Sequence, residues 1–130
     1  MNARDLINDT LQPLTLNDTG LKALHRMEEL RADHIPIISD HRYIGMISEE
    51  DILKLTALDQ ALENQKLSLI HPFVRAGQPV FEVVRTMSQD KLTLIPVLDE
   101  NNAYLGLITL SDVLKHYSDS GIFEDANGVI

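Results

Sequence analysis

The chain contains no cysteine and no tryptophan, and aromatic residues make up only 5% of its 130 residues. Without thiols it can hold no disulfide, no thiolate zinc site and no cysteine nucleophile. The scarcity of aromatics, set against 44% hydrophobic residues, points to a core built from aliphatic side chains. No apolar run approaches the roughly 18 residues that a membrane helix requires, and the first residues, Met1 to Asp9, contain no apolar stretch of signal-peptide type. These features lead to the expectation of a soluble, cytoplasmic protein that neither spans nor binds a membrane.

Basic residues are also short in supply. The formal net charge is −9, from 11 Lys/Arg against 20 Asp/Glu, and both halves of the chain are acidic. A phosphodiester backbone would be repelled by most of such a surface, which argues against nucleic-acid binding. A mononucleotide in a small cleft is not excluded, because local donors there outweigh the distant field. The five histidines (His25, His34, His41, His71, His116) form no helical i, i+4 pair and no H-E-x-x-H arrangement, so no metal is expected. Nucleophile-elbow and P-loop patterns are missing too, and the chain is not expected to be an enzyme.

What the chain does have, it states twice. Gly45-Met46-Ile47-Ser48-Glu49-Glu50-Asp51-Ile52 returns as Gly106-Leu107-Ile108-Thr109-Leu110-Ser111-Asp112-Val113, at an offset of 61 residues. Upstream, Ile35-Pro36-Ile37 returns as Ile95-Pro96-Val97 at an offset of 60, so the intervening loop is one residue longer in the second copy. A self-similarity of this length implies an internal duplication. Each copy reads as strand, helix, strand, strand, helix. In the first, Leu14–Leu16 alternates like a strand, Asn17 to Thr19 offers helix caps, and Leu21, Leu24, Met27 and Leu30 form an apolar helical face. Ile35–Ile38 and Tyr43–Ile47 form a hairpin, and the following helix is expected to turn Ile52, Leu53, Leu55 and Leu58 inward. In the second, Pro79 suits the first position of a helix that carries Val80, Val83, Val84 and Met87.

The resulting expectation is a mixed α+β fold of two β-α-β-β-α repeats packed through their sheets about a pseudo-twofold axis. The first repeat with its lead-in covers residues 1–58, and a linker with a helical tail covers 59–72. The second repeat covers 73–118, leaving a tail over 119–130. Half-units of about 60 residues bury too little surface to stand alone, and the crevices at their junction are where a ligand would sit.

The repeated Ser48-x-x-Asp51 and Thr109-x-x-Asp112 have a plain reading as capping boxes, although Asp is shorter than the usual Glu or Gln. They also put a hydroxyl, a carboxylate and backbone N–H groups at one spot, where a ribose diol or phosphate could bind. The duplicated unit with its Gly-h-h-[Ser/Thr]-x-x-Asp motif resembles the cystathionine-β-synthase (CBS) domain family over about residues 9–118, two copies forming a Bateman module. The resemblance implies a regulatory sensor for an adenosyl ligand: AMP, ADP, ATP, S-adenosylmethionine or a related dinucleotide. Such a ligand regulates and is not a required cofactor. Residue by residue, it implies that Asp51 and Asp112 hold ribose hydroxyls and that Ser48 and Thr109 meet the ribose or first phosphate. Ile35, Pro36, Ile37, Ile95, Pro96 and Val97 would lie against adenine. Arg42, Lys54, Arg75, Lys115 and His116 are phosphate candidates by charge and proximity. Glu49 and Glu50 set two like charges where a phosphate would arrive, so the second site is expected to be the better one. The rival reading is a structural or oligomerisation pair with empty clefts.

The resemblance further implies a homodimer through helical faces. Leu53 and Leu55 lie on neighbouring faces of one helix, leaving one of them for a partner subunit. The ending, Asn127-Gly128-Val129-Ile130, reads as the start of a strand belonging to a further domain. Bacterial two-CBS proteins resembling acetoin-utilisation proteins suggest an ACT-like domain for that place.

Overall fold

A computed structural model describes residues 1–119; the expected tail beyond them lies outside the described residues. Strand β1 (Leu14–Thr15) leads into helix α1 (Gly20–Leu30), the hairpin of β2 (His34–Ser39) and β3 (Arg42–Ser48), and helix α2 (Glu49–Leu53). The second repeat follows with β4 (Val74–Arg75), α3 (Val80–Gln89), β5 (Leu94–Leu98), β6 (Tyr104–Thr109) and α4 (Leu110–Asp119). Each repeat has a three-stranded sheet in chain order, its first pair parallel and its second antiparallel. Among the described residues no helix is long and apolar enough to cross a membrane.

Local chemistry explains the elements. The Thr19 hydroxyl accepts from Lys22 N–H at 3.1 Å and starts α1. Arg31 closes that helix in the left-handed region (φ 53°), and Lys91 does the same after α3 (φ 55°). The two-residue loop Asp40-His41 has positive φ at both positions, as a type I′ hairpin turn demands. The second hairpin loop carries the additional residue, and Asp99 Oδ1 organises it by accepting from Asn101 and Ala103 N–H at 2.8 and 2.9 Å. That residue accounts for the change of offset from 60 to 61.

Helix α2 is shorter than its apolar spacing suggests. It stops at Leu53, which is 59% exposed, and the next residues turn back so that Leu58 C=O accepts Leu21 N–H at 3.0 Å. The reason is the unsatisfied first turn of α1, which takes its acceptor from this returning segment. Leu55 and Leu58 still pack on the first core, but Leu53 does not. Pro79 sits one place earlier than expected, as the extended N-cap of α3.

The segments before each repeat exchange places. Residues Ala3 and Arg4 donate to Gln78 and Ala76 carbonyls of the second repeat (2.8 and 3.1 Å), and Asn8 N–H donates to Leu107 C=O at 2.9 Å. Correspondingly, Leu62 and Glu63 donate to Asp18 and Leu16 of the first repeat, and Ile70 bonds Met46 in both directions. Residues 59–72 therefore hold a 3₁₀ turn (Leu62–Asn64) and an extended stretch in place of a helical tail. This reciprocal crossing expresses the pseudo-twofold axis. Side chains alternate across each hairpin. Ile47 joins the first core with Leu14, Met27, Ile35 and Ile52, while its neighbour Met46 is buried in the second core with Val83, Leu94 and Leu107. Gly45 and Gly106 (both φ +156°) lie under the crossing segments. A Cβ on Gly45 would stand 2.9 Å from Ile70 O, and one on Gly106 would stand 2.5 Å from Ile7 Cγ2.

Candidate functional site

Each motif begins where a strand becomes a helix. Ser48 ends β3 and caps α2, its hydroxyl accepting from Asp51 N–H at 3.0 Å. The helix start is fastened to the residue before the central strand, by Glu49 N–H to Asp33 C=O in one repeat and Leu110 N–H to Thr93 C=O in the other, both 2.8 Å. In the second repeat the capping box is complete. Asp112 Oδ2 accepts from Thr109 N–H (2.9 Å) and Thr109 Oγ1–H (2.8 Å), and Thr109 Oγ1 accepts from Asp112 N–H (3.1 Å). Asp is therefore long enough to close the box here. The two motifs differ in what remains over. Asp51 is partly buried, and its carboxylate makes no hydrogen bond or ion pair among the described residues. Asp112 has its second oxygen, Oδ1, 3.4 Å from Asn8 Nδ2.

The structure scatters the other expected contacts. Ile35, Ile37, Ile95 and Val97 are buried in the two cores, and Pro36 and Pro96 are buried between them in the same strands. Arg42 stands six residues along an extended strand from Ser48, about 20 Å away, and is exposed. Arg75 pairs with Leu98, at the far end of β5 from Leu94, the partner of Thr109. Its guanidinium donates to Asp99 C=O at 2.6 Å and lies 4.8 Å from the Phe73 ring. Both arginines are thus at the hairpin-turn end of their sheets, because a short sequence separation becomes a long distance in a strand. Lys54 is paired with Glu50 at 3.3 Å. Lys115 and His116 follow Asp112 by three and four residues on α4, which puts them on its side of the helix. Sequence reasoning did not single out Asn8, Asp33 or Thr93, since the crossing segments and the strand starts carry no repeated residue type.

A cavity of about 720 Å³ runs between the repeats and is lined by Met27, Arg31, Asp33, Glu49 and Leu53 of the first and Thr93 of the second. It reaches the start of α2, but Ser48 and Asp51 do not line it. A cavity of about 310 Å³ lies between the N-terminal segment and β6, lined by Asn8, Gln12 and Tyr104 among others. Tyr43 and Tyr104 hold equivalent places, and burial pushes both phenols above their ordinary pKa. The Tyr43 hydroxyl donates to Pro72 C=O at 2.6 Å, whereas that of Tyr104 is buried with no partner among the described residues. Among the described residues no group of three His, Asp or Glu is placed to hold a metal ion.

The model of the CBS domain family matches residues 3–57 and again 70–119. The chain belongs to the CBS domain family. Solved structures that share its fold include a CBS domain pair/ACT domain protein from Thermotoga maritima, with a TM-score of 0.77 and 22% identity over 92% of this chain and 98% of that one. The CBS domain pair of protein MJ0100, solved with 5′-methylthioadenosine and S-adenosylmethionine, gives 0.65 at 22% identity, covering 92% and 98%. A homoserine O-acetyltransferase from Methanococcus vannielii is 26% identical over 75% of this chain, which spans 21% of the enzyme's length. The match thus covers about a fifth of that relative.

Proposed function

We propose that this CBS pair is a non-catalytic regulatory module that binds an adenosyl ligand in the clefts between its repeats. The observation that carries the reading is Asp51: a partly buried carboxylate with no hydrogen-bond or ion-pair partner among the described residues, beside the Ser48 hydroxyl at a strand-to-helix junction. Such a group is suited to a ribose diol, which supplies two hydroxyl donors. The MJ0100 complex with two adenosyl compounds supports the choice of ligand class. In this reading Ser48 and Thr109 orient the ribose or first phosphate, and Lys115 and His116 attend a phosphate at the second repeat. Adenine meets backbone edges near Ile35 and Ile95 rather than their buried side chains. A thermal-shift screen with AMP, ADP, ATP, NAD and S-adenosylmethionine tests the reading. A ligand present at one hundred times its Kd should add about 2.7 kcal/mol of stability; no shift from any of them at millimolar concentration refutes it.

A purely structural pair is the second reading, favoured by the closed capping box of Asp112 and by the burial of the Ile-Pro side chains. The two readings share a homodimer. Exposed apolar side chains occur at equivalent places on the helices of both repeats: Leu21 and Phe81 (53% and 60%), and Leu53 and Leu114 (59% and 48%). A matched set of this kind suits a partner copy with the same symmetry. Light scattering at tens of micromolar should give twice the 14.6 kDa chain mass, and Leu53→Glu with Leu114→Glu should return it to the monomer. A monomer before substitution removes the dimer.

A further inference from the structure

We infer that Asn8, from the N-terminal segment, is a built-in competitor for the Asp112 carboxylate, so that ligand entry at the second repeat must displace it. The inference rests on the ligand class proposed above. Asn8 is held in place from three directions. Its N–H donates to Leu107 C=O at 2.9 Å, and its Oδ1 accepts from Thr10 N–H at 3.1 Å and Thr10 Oγ1–H at 2.6 Å. Because Oδ1 must face those two donors, the amide orientation is fixed and Nδ2 faces Asp112 Oδ1 at 3.4 Å. The other oxygen of Asp112 is taken by Thr109, so both carboxylate oxygens are engaged.

The first repeat shows what the site is like without this device. There the crossing segment places Ile70 against Met46, as Asn8 lies against Leu107. The Ile70 side chain offers no donor, and the Asp51 carboxylate has no partner among the described residues. A diol arriving at the first cleft meets no rival, whereas one arriving at the second must take Asp112 Oδ1 from Asn8. The same Asn8 is the last of the backbone contacts that fasten the N-terminal segment to the second repeat, after Ala3 and Arg4. Occupancy of the second cleft therefore acts on the docking of that segment, and occupancy of the first does not.

Calorimetry with ATP in an Asp51→Ala background, where only the second cleft keeps its carboxylate, tests this. Asn8→Ile installs the residue type of the first repeat and should tighten ATP binding about three- to tenfold, the worth of one modest hydrogen bond. Thr10→Val, which removes the hydroxyl orienting Asn8 but leaves Asn8 itself, should move affinity the same way by less. Adenosine binding in an Asp112→Ala background should be unaffected by Asn8→Ile. Unchanged or weaker ATP binding in both variants overturns the inference. Binding of ATP by the parent chain but not in the Asp51→Ala background also overturns it and leaves the sensor reading intact. Failure of the unsubstituted chain to bind any adenosyl compound overturns both.

Discussion

Gly45→Ala should destabilise the protein by about 2–4 kcal/mol, the sum of a strained backbone and an overpacked contact. Gly45 combines φ +156° with a crossing segment directly above it. The added Cβ would lie 2.9 Å from Ile70 O, 3.0 Å from Leu69 Cβ and 3.2 Å from His71 Cδ2. The first of these is backbone, so relief requires moving the segment that ties the second repeat's lead-in to Met46. In thermal melts the loss should appear as a fall of roughly 10 °C for a chain of this size. Gly106→Ala meets a side chain instead, Ile7 Cγ2 at 2.5 Å, so Ile7→Ala in the same chain should recover part of its loss. Gly77→Ala is the control: nothing lies within 4 Å of its Cβ, and its effect should stay within about 0.5 kcal/mol. Equal melting temperatures for Gly45→Ala and Gly77→Ala would show that the crossing segments do not hold the repeats together.

The two carboxylates should divide ligands by charge. Asp112→Ala should weaken ATP binding more than Asp51→Ala does, and Asp51→Ala should weaken adenosine or 5′-methylthioadenosine binding more than Asp112→Ala does. Each larger loss should be about ten- to a hundredfold, the range for a hydrogen bond to a charged group. The first turn of α2 carries Glu49 and Glu50 beside Asp51, with Lys54 already paired to Glu50. A phosphate there meets like charges, while an uncharged nucleoside meets an open carboxylate. In the second repeat Leu110 and Ser111 replace the glutamates, and Lys115 and His116 follow one turn later. Calorimetry of both variants with both ligands decides the matter. Losses that do not depend on the phosphate would show that the charge of the first turn has no part in selection.

The repeat, its hairpins and most helical faces were legible because each depends on residues close in sequence. The hairpin loop with its additional residue could be read from a change of offset between Pro36/Pro96 and Ser48/Thr109. The early end of α2 was not legible. Its cause is the carbonyl of Leu58 reaching the first turn of α1, a contact across 37 residues that side-chain periodicity does not encode. The exchange of lead-in segments escaped for the same reason: Ala3, Arg4, Leu62 and Ile70 dock through backbone bonds that most residue types could make. At the site, Ser48, Asp51, Thr109 and Asp112 lie where the motif puts them, at the helix starts. Arg42 and Arg75 were grouped with them by distance along the chain, and an extended strand turns that nearness into separation.

The most direct test compares adenosine with 2′,3′-dideoxyadenosine by calorimetric titration, because only the ribose diol distinguishes them. With the diol held by Asp51, adenosine should bind at least about tenfold more tightly, and Asp51→Ala should remove most of that difference. Equal affinities for the two nucleosides, or no binding of either at millimolar concentration, would contradict the assignment of this carboxylate as the ribose contact of an adenosyl sensor.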